Sequence, residues 1–134
     1  MAQPYGAQSY LQTQVQSADP MQLVVLLYDG ALKQAAIARD ALVRKDIPAR
    51  RVAMGKALAI VGELQTTLDL ERGGKIAADL DGLYSYVTSL LLDAVVKQDA
   101  QPVAEAMGIL TTLRDAWQQV AAAGAAAQPV GARP

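Results

Sequence analysis

The sequence predicts an all-α protein, an antiparallel four-helix bundle. Three observations carry that prediction. Apolar residues recur at alternating steps of three and four in four separate stretches, the period of helices that each bury one stripe. Pro48, the Gly73-Gly74 pair and Pro102 fall between those stretches, where helices are broken or capped. The breaks are short, so successive helices lie side by side and run in opposite directions. With 134 residues, of which 52% are hydrophobic, the chain has the size of one domain and the apolar side chains for a core.

Residues 1–16 are polar and glutamine-rich, with Tyr5 and Tyr10 in no clear period, and read as a flexible arm. The bundle is expected over 17–122. Asp19 suits an N-cap and Pro20 a first helical position, so the first helix is expected over 20 to about 45. Its seam is Val24, Tyr28, Ala31, Ala35, Ala38 and Leu42. Asp29-Gly30 within it has the form of a hairpin signal, but the residues that follow, "ALKQAAIARDAL", are strong helix formers with no second strand. After "KDIP" a second helix is expected over about 49–70, with a seam of Ala53, Ala57, Ile60, Leu64 and Thr67, ending at Gly73-Gly74. The third, about 75–98, repeats the pattern with Ile76, Leu80, Leu83, Val87, Leu90 and Ala94. The fourth opens at Pro102 and continues to about 122, with Val103, Ala106, Leu110, Leu113, Trp117 and Val120. Residues 123–134 mix Ala, Gly and Pro without an apolar stripe and read as a disordered tail.

Glycine in a helix interior costs ~1 kcal/mol relative to alanine, so Gly30, Gly55, Gly62, Gly82 and Gly108 need a reason. At about 100° per residue Gly30 falls opposite the core seam, in a row with Leu23, Leu26, Ile37 and Ala41. The others lie in small-residue rows such as Gly55, Ala59, Gly62 and Thr66, or Ala104, Gly108 and Thr112. Two readings stand. The rows admit neighbouring helices of the same bundle, or they line shallow grooves that accept an amphipathic segment of another protein. Tyr28, Tyr84 and Tyr86 read as core-edge side chains whose hydroxyls reach water, and Trp117 as core. Asp29 and Asp69 read as solvated or locally bonded. Arg39, Arg44, Lys45, Arg50 and Arg51 surround the first inter-helix turn, as a wet surface or as a contact for an acidic partner.

Composition removes much of enzyme chemistry. There is no cysteine and no histidine, hence no disulfide, thiolate or imidazole ligand. Three glutamates and no Glu-x-x-His pattern exclude a di-iron carboxylate bundle, and a phosphorelay lacks its histidine. No cofactor and no metal is expected. A net charge of −1 favours neither nucleic acid nor an anionic membrane, and no apolar run approaches the ~20 residues that span a bilayer. A soluble protein of a reducing cytoplasm is the expectation.

The stretch "YLQTQVQSADPMQLVVLLYDGAL" resembles the opening of the flagellar secretion chaperones called FliS, where a tyrosine-bearing arm leads through an Ala-x-Pro entry into a helix with Leu-Tyr-Asp-Gly. "ALAIVGELQTTLDLERGGKIAADLDGLYSYV" is similar to that family's second and third helices, and "LTTLRDAWQQV" to its closing helix. The resemblance covers roughly residues 10–120, with Thr88 and Ser89 where the family often has basic residues. It implies a non-enzymatic cytoplasmic bundle that binds the carboxy-terminal segment of flagellin, prevents early polymerisation and delivers the subunit to the flagellar type III export apparatus. By motif it implicates Tyr10, Tyr28, Asp29, Gly30, Leu64, Leu68, Asp69, Gly73, Gly74, Leu83, Tyr84 and Tyr86. The apolar row on the first helix adds Leu23 and Leu26. The competing expectation is a structural or adaptor bundle that self-associates, for example as a homodimer, without an unfolded client.

Overall fold

A computed structural model describes residues 20–127; the expected arm, with Tyr10, and residues 128–134 lie outside the described residues. Four helices follow one another: α1 Pro20–Arg44, α2 Ile47–Thr66, α3 Leu70–Lys97 and α4 Gln101–Ala127. Consecutive helices pack on one another, and α1 closes the ring against α4, which leaves α1 and α3 as one diagonal and α2 and α4 as the other. The short corners make this an antiparallel bundle.

The corners are built from local hydrogen bonds. Lys45 adopts φ 61° and Gln98 φ 54°, the left-handed conformation that stops a helix. In each case the next amide reaches back to an orphan carbonyl, Asp46 N–H to Ala41 at 2.8 Å and Asp99 N–H to Ala94 at 3.1 Å. Asp46 then caps α2, its carboxylate accepting from the Ala49 amide at 3.1 Å, with Pro48 in the first turn.

The third corner departs from the expectation. Helix α2 ends at Thr66, and Asp69 starts α3 by accepting the Arg72 amide at 3.0 Å. Gly73-Gly74 does interrupt the helix, as expected, with Gly74 at φ 54°, ψ −129°, but one helical turn from Leu70 stands ahead of it, so α3 begins earlier and is kinked there. An L side chain rarely adopts that conformation, and a Cβ on Gly73 would stand 2.5 Å from the Ala77 Cβ. Asp69 outcompetes the double glycine as the boundary because an N-cap satisfies amides that a glycine pair leaves free. At the other end α4 continues past 122 to Ala127, since alanine is the strongest helix former.

The core is small-sided at its centre. Ala31, Ala35, Ala38 and Ala41 of α1 are fully buried, and they bring α1 close to Ala53, Ala57 and Val61 of α2 and to Val103, Ala106 and Leu110 of α4. The α1 seam is largely as expected. The others hold only in part: in α2 Ile60 is half-buried and Thr67 exposed, and in α4 Leu113 and Trp117 are half-buried and Val120 is exposed. In α3 Ala77, Tyr84, Val87, Leu90, Leu91 and Ala94 are buried, while Ile76 is 73% exposed and Leu83 36%.

The glycines separate cleanly. A Cβ on Gly30 would meet the Ile60 side chain at 3.3 Å, so the second apolar face of α1 is covered by α2 and Gly30 sits at an internal crossing. A Cβ on Gly55, Gly62, Gly82 or Gly108 meets nothing within 4 Å. Gly30→Leu should therefore lower stability by about 1–3 kcal/mol through overpacking. Gly55→Ala and Gly82→Ala should each raise it by about 0.5–1 kcal/mol through helix propensity. Urea denaturation of the three variants checks both signs.

Candidate functional site

Above the alanine layer α1 changes from small to large residues, Val24, Leu27 and Tyr28, and the diagonal helices α1 and α3 can no longer close on one another. A groove of about 760 Å³ opens at that end. Its walls are Leu23, Val24 and Leu27 of α1, Ile76 and Leu80 of α3, and Trp117 of α4. Thr67, Leu68 and Asp69 of the corner, with Arg72 and Gly73 of the turn before the kink, close one side. The kink at Gly74 is what turns that short piece of helix against the opening.

The floor is a tyrosine pair. Tyr28 and Tyr84 are 0% and 1% exposed, and their hydroxyls share a hydrogen bond of 2.5 Å with ring centroids 6.3 Å apart. This corrects the expectation of hydroxyls in water: each phenol finds its partner in the other. Burial raises both pKa values above the usual 10.0, with the bond to Tyr84 adding to the shift at Tyr28 and the Trp117 side chain opposing it there. Trp117 is likewise not a core residue but a half-buried one that lines the groove.

A second, shallower groove of about 420 Å³ lies between α3 and α4, lined by Leu83, Glu105, Gly108, Ile109, Thr112 and Leu113. Leu83 is one turn beyond Leu80, and Leu113 one turn before Trp117, so the two grooves adjoin along both helices. At its edge the Tyr86 hydroxyl donates to Glu105 at 2.6 Å, and that bond to a carboxylate raises the phenol's pKa.

Of the residues implicated from sequence, Leu23, Leu68, Asp69, Gly73 and Tyr84 meet at the first groove, with Tyr28 beneath it and Gly74 shaping it. Leu83 lines the second groove and Tyr86 flanks it. Four lie elsewhere. Leu64 is buried in the core, Leu26 is half-buried outside both grooves, and Gly30 faces Ile60. Asp29 accepts from Arg114 at 2.8 Å, an exposed link between α1 and α4 that holds the guanidinium's pKa above its ordinary value. Sequence reasoning missed Val24, Ile76, Leu80 and Leu113 as groove residues because they carry the same spacing as core, and Leu27 and Ile109 because they fall in no seam. The signal that was present is the change from alanine to large side chains along the α1 seam.

The lining is apolar, and no group of three or more His, Cys, Asp or Glu gathers among the described residues. No helix there is long and apolar enough to cross a membrane. Fold and groove together define a four-helix bundle with an open apolar groove on its surface.

Comparison with known proteins narrows the class. A family model described as "Flagellar protein FliS" matches residues 1–124. The chain is 36% identical over 110 residues to the flagellar secretion chaperone FliSB of Pseudomonas aeruginosa, covering 82% of this chain and 87% of that one. It is 39% identical over 115 residues to the flagellar secretion chaperone FliS of Salmonella typhimurium, 85% of each chain. Against that of Bacillus subtilis it is 35% identical over 116 residues, 87% of this chain and 84% of the other. The chain belongs to the FliS family.

The tyrosine pair gives a prediction of its own. Tyr28→Phe strands the Tyr84 hydroxyl and should cost about 1–3 kcal/mol, part of which Tyr28→Phe/Tyr84→Phe restores. Because the folded pKa values are raised, the pair's contribution is complete below about pH 10 and is lost as pH climbs toward them. Urea titrations from neutral to alkaline pH should show a shallower decline in the double variant.

Proposed function

We propose that this protein is a cytoplasmic flagellar export chaperone. It holds the carboxy-terminal segment of flagellin in the two adjoining grooves, keeps it from polymerising, and delivers it to the flagellar type III export apparatus. One observation carries this reading: the seam of α3 is apolar through Ile76, Leu80 and Leu83, yet its first half is left uncovered beside Trp117. A face patterned for burial and not buried in its own bundle calls for an apolar segment from elsewhere. The relatives' designation as flagellar secretion chaperones supports flagellin as its source. A segment without structure of its own can fold as a helix against these walls, the ordering entropy offsetting part of the contact energy.

A peptide from the flagellin carboxy terminus should bind one-to-one with a large negative heat-capacity change and should perturb the fluorescence of Trp117. Absence of binding, with a stable homodimer of the chain, would establish the self-associating reading instead. Ile76→Asp should weaken the peptide at least ~10-fold, about 1.4 kcal/mol, with the melting temperature unchanged because the side chain is exposed.

A further inference from the structure

The grooves leave the opposite end of the bundle unaccounted for. There, where α1 turns into α2, three β-branched aliphatics stand in solvent: Val43 at 69%, Ile47 at 49% and Val52 at 59% exposure. Between them lie Arg44, Lys45, Arg50 and Arg51, four cations against the single carboxylate Asp46, in a chain whose overall charge is −1. Asp46 is already engaged, capping α2 and standing 3.9 Å from Arg44. Lys45 and Arg51 have no ion-pair partner among the described residues, and the Arg50 Nε is buried there without a hydrogen bond. Lys45 moreover keeps its side chain at φ 61°, where glycine is the less costly choice. At the neighbouring corner Asp93 pairs with Lys97 at 3.1 Å and Asp99 accepts the Gln101 amide at 3.0 Å, a single carboxylate charge against the four cations.

We infer that this α1–α2 corner is a second docking surface, for a protein that presents carboxylates around an apolar patch. The partner is the one that receives the loaded chaperone, and to that extent the inference rests on the proposed function. Val43 stands roughly 30 Å along α1 from Val24, at ~1.5 Å per residue, so client and receiver can be held together without overlap. Charge complementarity selects the partner and speeds encounter, and the aliphatics supply contact area. A lipid surface fits less well. The corner has no Trp, Phe or Leu to insert, and its aliphatics are short branched side chains divided between the ends of two helices rather than one face of an amphipathic helix.

The test uses the full chain, replacing the native copy in its own host. Lys45→Glu/Arg51→Glu should reduce secreted flagellin at least ~10-fold, while flagellin-peptide affinity stays within ~2-fold and the melting temperature is unchanged. Lys45→Arg/Arg51→Lys should secrete normally. Normal secretion by the charge-reversed chain overturns the inference, as does a parallel loss of peptide affinity, which would route the effect through the groove. So does binding of the unsubstituted chain to phosphatidylserine-containing vesicles that the reversal abolishes. Should the reversal lower the melting temperature, Lys45→Gln/Arg51→Gln is read by the same criteria. Failure of the proposed function shows separately, as no peptide binding by the unsubstituted chain.

Discussion

The hydrogen bond between Tyr28 and Tyr84 is the point about which the rest of the bundle is arranged. It joins α1 to α3, helices on a diagonal of the ring that otherwise make little contact. On one side of it lie Ala31, Ala35 and Ala38, small enough for α2 and α4 to close around α1. On the other side α1 carries Val24 and Leu27, and the helices separate. Two buried phenols can end a core in this way because each satisfies the other, where a single one would be left with an unpaired hydroxyl. The bond thus divides a dry, close-packed interior from an apolar space open to a ligand. Trp117 touches that boundary from α4.

That division explains what the sequence disclosed and what it hid. The four helices were legible because their apolar spacing reflects burial of one face, whichever partner does the burying. For the same reason Ile76, Leu80 and Leu83 were indistinguishable from Val87, Leu90 and Ala94, although only the latter three are covered by the bundle itself. Gly73-Gly74 was legible as a break, but the helical turn ahead of it was not, because that turn depends on Asp69 capping the Arg72 amide. The Tyr28–Tyr84 contact joins positions distant in sequence on separate helices, and no local pattern encodes it. Leu64, Leu26 and Gly30, implicated by motif or by row, lie outside both grooves: Leu64 is buried in the core, Leu26 is half-buried and Gly30 faces Ile60.

The proposed function poses a thermodynamic difficulty. On that reading the client's apolar stripe must be exposed only at its destination, and before that it must be held without being locked. A groove lined by aliphatics and one indole provides non-directional attraction that a helix can enter and leave, whereas a polar network would demand fixed geometry and slow release. Few polar side chains line the first groove, and two of them, Asp69 and Arg72, sit on its rim and are joined by a loose ion pair at 3.7 Å.

The rim also shows how such a site is built without endangering the bundle. The turn from Leu70 to Gly73 is exposed throughout, held by the Asp69 cap and by its own backbone, and Gly74 decouples its direction from the rest of α3. Its orientation can therefore adapt to a ligand while Tyr84, Val87 and Leu91, further along the same helix, stay locked in the core. Rigid and adaptable parts are separated by a glycine whose conformation few other residues can take. Flexibility confined to an exposed turn costs the fold little, and flexibility in the alanine layer would cost the fold itself.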